Sequence, residues 1–196
     1  LLLHGVGSNE EDLFGLEGSF DPRWLVISAR APLTLRPGSY AWFQVQFGAD
    51  GPLANAVQAE ASRKIVVQFV CWAVAEYGAD ANRVLVAGFS QGAIMAASLA
   101  LTEPEKTRAV ALMSGRILPE VLPLAASPER RAKTSYLVVH GTLDEVLPIR
   151  HGRESRETLR SLGLEPEYHE FVMPHTVTDE SLATVVAWAE GRVGLS

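Results

Sequence analysis

The chain reads "AGFSQGA" at 87–93, with Val84, Leu85 and Val86 leading into it and Ile94, Met95, Ala96 and Ala97 leading away. The run "RVLVAG" at 83–88 has the composition of a buried strand, and 91–102 that of a helix, so the polar Ser90–Gln91 pair falls on the turn between them. A turn that sharp strains the serine backbone and brings chain segments almost into contact. It therefore demands small residues two positions before and after, and Gly88 and Gly92 fill those positions. A serine hydroxyl is a poor nucleophile unless a base takes its proton as it attacks. On such a turn the side chain projects clear of the sheet, and the helix N-terminus behind it favours developing negative charge.

Strand-like runs recur on either side: "LLL" at 1–3, "WLVISA" at 24–29, "AVALMSG" at 109–115, "SYLVVHG" at 135–141 and "EYHEFV" at 167–172. Helical patterns separate most of them. Over 54–77, Ala56, Ala59, Arg63, Val66, Val67, Val70, Val74 and Tyr77 recur at i, i+3, i+4 spacing. A third helix is expected at about 149–162, closed by Gly163. A fourth is expected at 178–191, with Thr178 at its start, acids in its first turn and Gly191 at its end. Strands alternating with helices and apolar on both faces predict an α/β fold. Its mostly parallel central sheet should have about six strands, with helices on both faces, in a single domain over 1–196. The segment 116–134, with three prolines, reads as a helix-plus-loop excursion over the sheet edge. The chain opens directly on a core strand running into "HGVG", which implies upstream residues outside this sequence.

A base and its orienting acid should follow the serine at the ends of later strands. "LVVHGTLDEVLP" supplies Asp144, three residues past Gly141, and "FVMPHTVTDE" supplies His175 in the loop before the last helix. The order serine, acid, histidine is that of the α/β-hydrolases. Glu145 is a weaker competitor for the acid. Asp179 is explained by the dipole of the helix it starts. Four other histidines compete for the base. His4 reads as a structural hydrogen-bonding residue, His140 as buried, His151 as solvated on a charged helix, and His169 as a strand residue without an acid at a fitting position. An oxyanion also needs donors. The Gln91 N–H at the helix start is one candidate, and the Val6 N–H in "HGVGSNEEDL" is the other.

With these residues in place, "LLLHGVGSNEEDL", "GFSQGA", "HGTLDEVLP" and the histidine after "FVMP" resemble the phospholipase/carboxylesterase group of α/β-hydrolases, which includes acyl-protein thioesterases and small bacterial carboxylesterases. The resemblance covers nearly the whole chain, "AP" at 31–32 and "YAWF" at 40–43 included. It implies nucleophile Ser90, acid Asp144 and base His175, with the Val6 and Gln91 amides as oxyanion hole and Trp42 and Phe43 near an acyl-binding cleft. It also implies a cofactor-independent serine esterase working through an acyl-enzyme, and the net negative charge and the lack of a basic amphipathic helix at 116–134 favour small soluble esters. Lysophospholipase or acyl-protein thioesterase activity is the alternative, and a non-catalytic ligand-binding hydrolase fold is a second. Two departures stand out. Pro174 replaces the glycine usual before the histidine, and the one or two strands that precede the H-G loop in the family are absent, which leaves 24–29 as a sheet edge.

Composition narrows the partners. The net charge of −6 and the lack of a basic cluster beyond "ERRAK" at 129–133 argue against nucleic acid. No apolar stretch approaches the 18 or so residues of a membrane span, and no secretory leader is visible, so a cytoplasmic protein is the default. Cys71 is the only cysteine, which excludes an intrachain disulfide and a cysteine-based metal site; its apolar surroundings predict a buried thiol. The acids Glu10, Glu11 and Asp12 lack partner ligands at metal spacing and read as a helix start, so no metal or other cofactor is expected. Trp24, Trp72 and Trp188 read as packing residues. A homodimer is compatible with the resemblance, but nothing in the sequence requires one.

Overall fold

Alternate residues of the strand Leu85–Phe89 face two different cores: Val86 packs into one apolar cluster, Leu85 and Ala87 into another. This alternation is what a strand covered on both faces requires. In the computed structural model, which describes residues 1–48 and 51–194, it recurs on Ser135–Gly141, where Tyr136 and Val138 face the first core and Leu137 and Val139 the second.

The strands are β1 (Leu2–Leu3), β2 (Ser28–Ala29), β3 (Leu33–Arg36), β4 (Ser39–Ala41), β5 (Val45–Gly48), β6 (Gly51–Ala54), β7 (Leu85–Phe89), β8 (Ala109–Met113), β9 (Ser135–Gly141) and β10 (Glu167–Phe171). The helices are α1 (Glu10–Phe14), α2 (Ala56–Tyr77), α3 (Gln91–Thr102), α4 (Pro128–Arg131), α5 (Arg150–Ser161) and α6 (Asp179–Val193). Six strands form one sheet in the order β10-β9-β8-β7-β1-β2, and every pairing in it is parallel. Residues of α2, α3 and α5 build the core on one face, and residues of α1 and α6 that on the other. The expected six-stranded parallel α/β sheet is therefore present, with β2 at one edge. Two antiparallel ribbons, β3–β4 and β5–β6, were not legible in the sequence. They occupy the connection between β2 and α2 and carry Trp42 and Phe43 at their junction.

Several local expectations are corrected. Only Ser28–Ala29 of the 24–29 run is strand; Trp24 precedes it in a turn and packs on Phe20 at 5.8 Å between ring centroids. The 116–134 excursion holds a 3₁₀ turn at Pro119–Leu124 and the short α4. It lies along the outside of α3 rather than over the sheet edge, with Leu118 and Val121 in the α2–α3 core and the Ala126 N–H donating to Leu101 O at 2.8 Å. Helix α6 runs through Gly191 to Val193, and a capping box between Thr178 and Ser181 starts it.

Cys71 is exposed, not buried. Helix α2 buries Ala59, Ser62, Arg63, Val66, Val70 and Ala73, a stripe at helical spacing that leaves Cys71, Trp72 and Tyr77 outside. Because apolar residues lie on more than one side of α2, composition alone does not show which face turns inward. Trp72 instead packs along its own helix, against Phe69 at 5.4 Å and Tyr77 at 5.9 Å. The acids at 10–12 behave as expected: they fill the first turn of α1, and Glu10 pairs with Arg30 just past β2. That pairing holds the Glu10 carboxyl down at about 2.

Candidate active site

Ser90 sits between β7 and α3 at φ 54° and ψ −116°, a conformation that costs a non-glycine residue about 1–3 kcal/mol and persists only where the surroundings impose it. Here they do. The Ser90 N–H donates to Met113 O at 2.9 Å, anchoring the turn to β8, while its carbonyl accepts from Ala93 and Ile94 in α3. A Cβ on Gly88 would strike the Gly92 carbonyl, and one on Gly92 would strike the Leu3 carbonyl, so both positions exclude any side chain. The two glycines thus allow α3 to lie almost on top of β7 and β1.

His175 lies in the loop between β10 and α6, its side chain 16% exposed. Its Nε2 is 2.9 Å from Ser90 Oγ and its Nδ1 is 2.6 Å from Asp144 Oδ2. Pro174 does not displace the ring, whose face packs against Phe89 at 4.8 Å between centroids. Asp144 follows β9 with a fully buried carboxylate. Its Oδ1 accepts from the N–H groups of Val146 at 2.9 Å and Leu147 at 2.8 Å, which leaves Oδ2 for His175. Glu145 is exposed and takes no part.

Val6 lies in the loop after β1, and Gln91 is the first residue of α3; among the described residues neither N–H has an acceptor. Both are in the state an oxyanion donor needs. The Val6 loop is held in place: Gly7 N–H donates to Tyr40 O and Tyr40 N–H to Ser8 O, each at 2.8 Å, and Asn9 Nδ2 donates to Gly38 O at 3.1 Å. His4 is wholly buried, as expected of a structural residue, with Nε2 accepting from Ala31 N–H at 3.0 Å.

Trp42 and Phe43, expected beside an acyl-binding cleft, are each only 1% exposed. They brace the site instead of lining it. The Trp42 indole N–H donates to His4 O at 2.9 Å, just ahead of the Val6 loop. The Gln91 side chain accepts from Trp42 N–H and donates to Phe43 O, both at 2.7 Å. One residue thus offers a free backbone donor at the helix start and, through its carboxamide, ties the opposite loop to that helix. This second role was invisible in the sequence because its partners lie 49 and 48 residues away. Trp42→Phe removes the indole donor while keeping an aromatic ring, leaving a buried carbonyl unmatched. It is expected to lower unfolding free energy by about 2 kcal/mol, measured by denaturant titration.

The remaining histidines are placed elsewhere. His140 is buried, as expected. His151 is not solvated: its side chain is 12% exposed, its Nδ1 lies 3.3 Å from Glu154, and burial together with Arg116 lowers its pKa. His169 does have an acid neighbour, Glu167 at 2.9 Å, but the pair is exposed on β10.

A parallel sheet covered on both faces, with a serine on a strained strand-to-helix turn and a histidine and a carboxylate in hydrogen-bonding series behind it, is an α/β-hydrolase arrangement. The Phospholipase/Carboxylesterase family model matches residues 1–190, and the chain belongs to that family. It is 30% identical over 83% of its length to the Escherichia coli (strain K12) esterase YpfH, covering 68% of that protein. It is also 30% identical over 98% of its length to an Oryza sativa subsp. japonica protein named "Probable inactive carboxylesterase", covering 86% of it. The crystal structure of esterase PE8 superposes with a TM-score of 0.82 at 29% identity, covering 97% of this chain and 90% of that one. Since one of these relatives is so named, activity has to be argued from this chain's own geometry.

Proposed function

We propose that the protein is a serine carboxylesterase that cleaves small carboxylic esters through an acyl-enzyme. The observation that carries this reading is the unbroken series Ser90 Oγ, His175, Asp144 with separations of 2.9 and 2.6 Å. A protein that only binds a ligand in this cleft has no use for that series, nor for a strained serine at its head.

In this reading His175 carries its proton on Nδ1, donated to Asp144, so that Nε2 accepts from the Ser90 hydroxyl. As Ser90 Oγ attacks the acyl carbon, its proton passes to Nε2 and Asp144 stabilises the imidazolium. The carbonyl oxygen gains negative charge and accepts from the Val6 and Gln91 N–H groups, held ready by the Gln91–Trp42–His4 connections. His175 then gives its proton to the leaving oxygen or sulfur. A water, deprotonated by the same nitrogen, releases the acid and restores Ser90.

A second reading, a lysophospholipase or thioesterase acting on longer acyl chains, draws support from one observation. Val6, Leu143, Val146 and Val172 are exposed by 47, 57, 58 and 85%, and all lie on or beside the loops that carry the oxyanion donor, the acid and the base. No helix among the described residues is long and apolar enough to cross a membrane.

Hydrolysis of p-nitrophenyl esters from acetate to dodecanoate separates these readings. An optimum of kcat/KM at two to four acyl carbons supports the small-ester reading, and a rise through eight carbons or more favours the longer-chain one. Failure to hydrolyse any ester, together with failure of a fluorophosphonate to label the protein, would overturn both.

A further inference from the structure

The mechanism above leaves the wholly buried imidazole of His140 unused. His140, on β9, stands beside Asp144 Oδ2, the same oxygen that His175 Nδ1 meets. Its Nε2 is 2.6 Å from Leu147 O and 3.5 Å from Asp144 Oδ2, and both side chains are fully buried. A carbonyl accepts only from a protonated nitrogen, so the hydrogen is on Nε2. Nδ1 has no hydrogen-bond partner among the described residues. Helix α5 closes over it at Gly152, where an added Cβ would stand 2.8 Å from Nδ1. The charged or titratable groups around the ring are Asp144, His175 and Glu170, the last already paired with Arg153. Burial disfavours a second proton on the ring and pushes its pKa down.

These contacts close a circuit. Leu147 N–H donates to Asp144 Oδ1 while Leu147 O accepts from His140, so the turn 144–147 is held at both ends of one residue. The orientation of Asp144 depends on that turn, because its Oδ1 is occupied by the turn's own N–H groups. A charged ring here would compete with His175 for the carboxylate; a neutral one does not.

We propose that His140 is a positioning residue for acyl transfer: as a neutral Nε2–H imidazole it locks the Asp144–Leu147 turn and so keeps Asp144 Oδ2 aimed at His175. This rests on the Ser90–His175–Asp144 reading above. A displacement of order 1 Å in such a series costs about 100-fold in rate, and it acts on the chemical step rather than on substrate binding.

The test compares His140→Leu, which removes the donor, with His140→Gln, whose carboxamide nitrogen reaches the place of Nε2. His140→Leu is expected to lower kcat by roughly 30- to 100-fold with KM within about twofold of wild type, and His140→Gln to recover all but about fivefold. In parallel, the hydrogen-bonded His175 Nδ1 proton is followed in the low-field proton NMR spectrum. It should be present in the wild type and His140→Gln, and lost or shifted upfield in His140→Leu. That resonance does not depend on turnover, so it decides the point even if the wild type hydrolyses no ester and the functional reading fails. Should His140→Leu not fold, Gly152→Ala, which pushes the ring from the α5 side, is expected to weaken the same resonance. Unchanged kcat and an unchanged Nδ1 signal in a folded His140→Leu, or a His140→Gln no better than His140→Leu, would overturn the proposal.

Discussion

Ser90→Ala is expected to reduce kcat on the best p-nitrophenyl ester by about a million-fold, leaving only what the oxyanion donors and substrate binding supply without a nucleophile. The fold should be indifferent to the change. Alanine keeps the Cβ that already sits at φ 54°, and Ser90 Oγ has His175 as its partner and no structural contact that the turn needs. The backbone anchor from Ser90 N–H to Met113 O survives as well. The variant should therefore melt within a few degrees of the wild type while losing fluorophosphonate labelling altogether. A loss of less than about a hundredfold in a contaminant-free preparation would mean that another group attacks the ester, and the Ser90 mechanism would be abandoned.

Asp144→Asn should cost about 10⁴-fold in kcat, for a reason specific to this turn. The carboxamide that replaces the carboxylate would keep its carbonyl oxygen where Oδ1 now accepts from Val146 and Leu147 N–H, because those two bonds leave an amide no better orientation. Its NH₂ would then face His175 Nδ1, donor against donor. The imidazole relieves the conflict by moving its proton to Nε2, which turns the nitrogen facing Ser90 from an acceptor into a donor. The base is then present, correctly placed and in the wrong tautomer. Near-normal stability with kcat reduced to this extent is the expected pair of results. A fall of about tenfold or less would show that the carboxylate does not set the tautomer.

Much of the architecture was legible because hydrophobic patterning is local. The run 135–141 matches β9 residue for residue, and the helix expected at 91–102 is α3. Gly88 and Gly92 were readable from their spacing about Ser90, since a nucleophile turn leaves no other residue room. The order of Ser90, Asp144 and His175 along the chain was equally open to view. Their placement at strand ends on one side of a parallel sheet follows from the alternation of strands and helices.

Other features lay beyond the reach of pattern. Trp42 looked like a cleft residue because it follows a strand in an irregular stretch, yet its indole is inside, bonded to a carbonyl 38 residues earlier. Cys71 looked buried because its neighbours are apolar, although α2 turns a different stripe inward. The ribbons β3–β4 and β5–β6 are too short to show a period that outweighs their turns.

The sequence by itself determined the strands, the helices that cover them and the serine turn, because each depends on residues within a few positions of one another, and it nominated Ser90, Asp144 and His175 by their order at the strand ends. Only the tertiary structure decided the distances among them, and that His140 also reaches Asp144 Oδ2. His175 meets Ser90 across 85 residues and Asp144 across 31, while His140 stands four residues from Asp144 and yet bonds to Leu147. The parallel pairing of β10 with β9 brings the loop after β10 over the end of β9, and that contact, not local chemistry, presents the His175 ring to the serine.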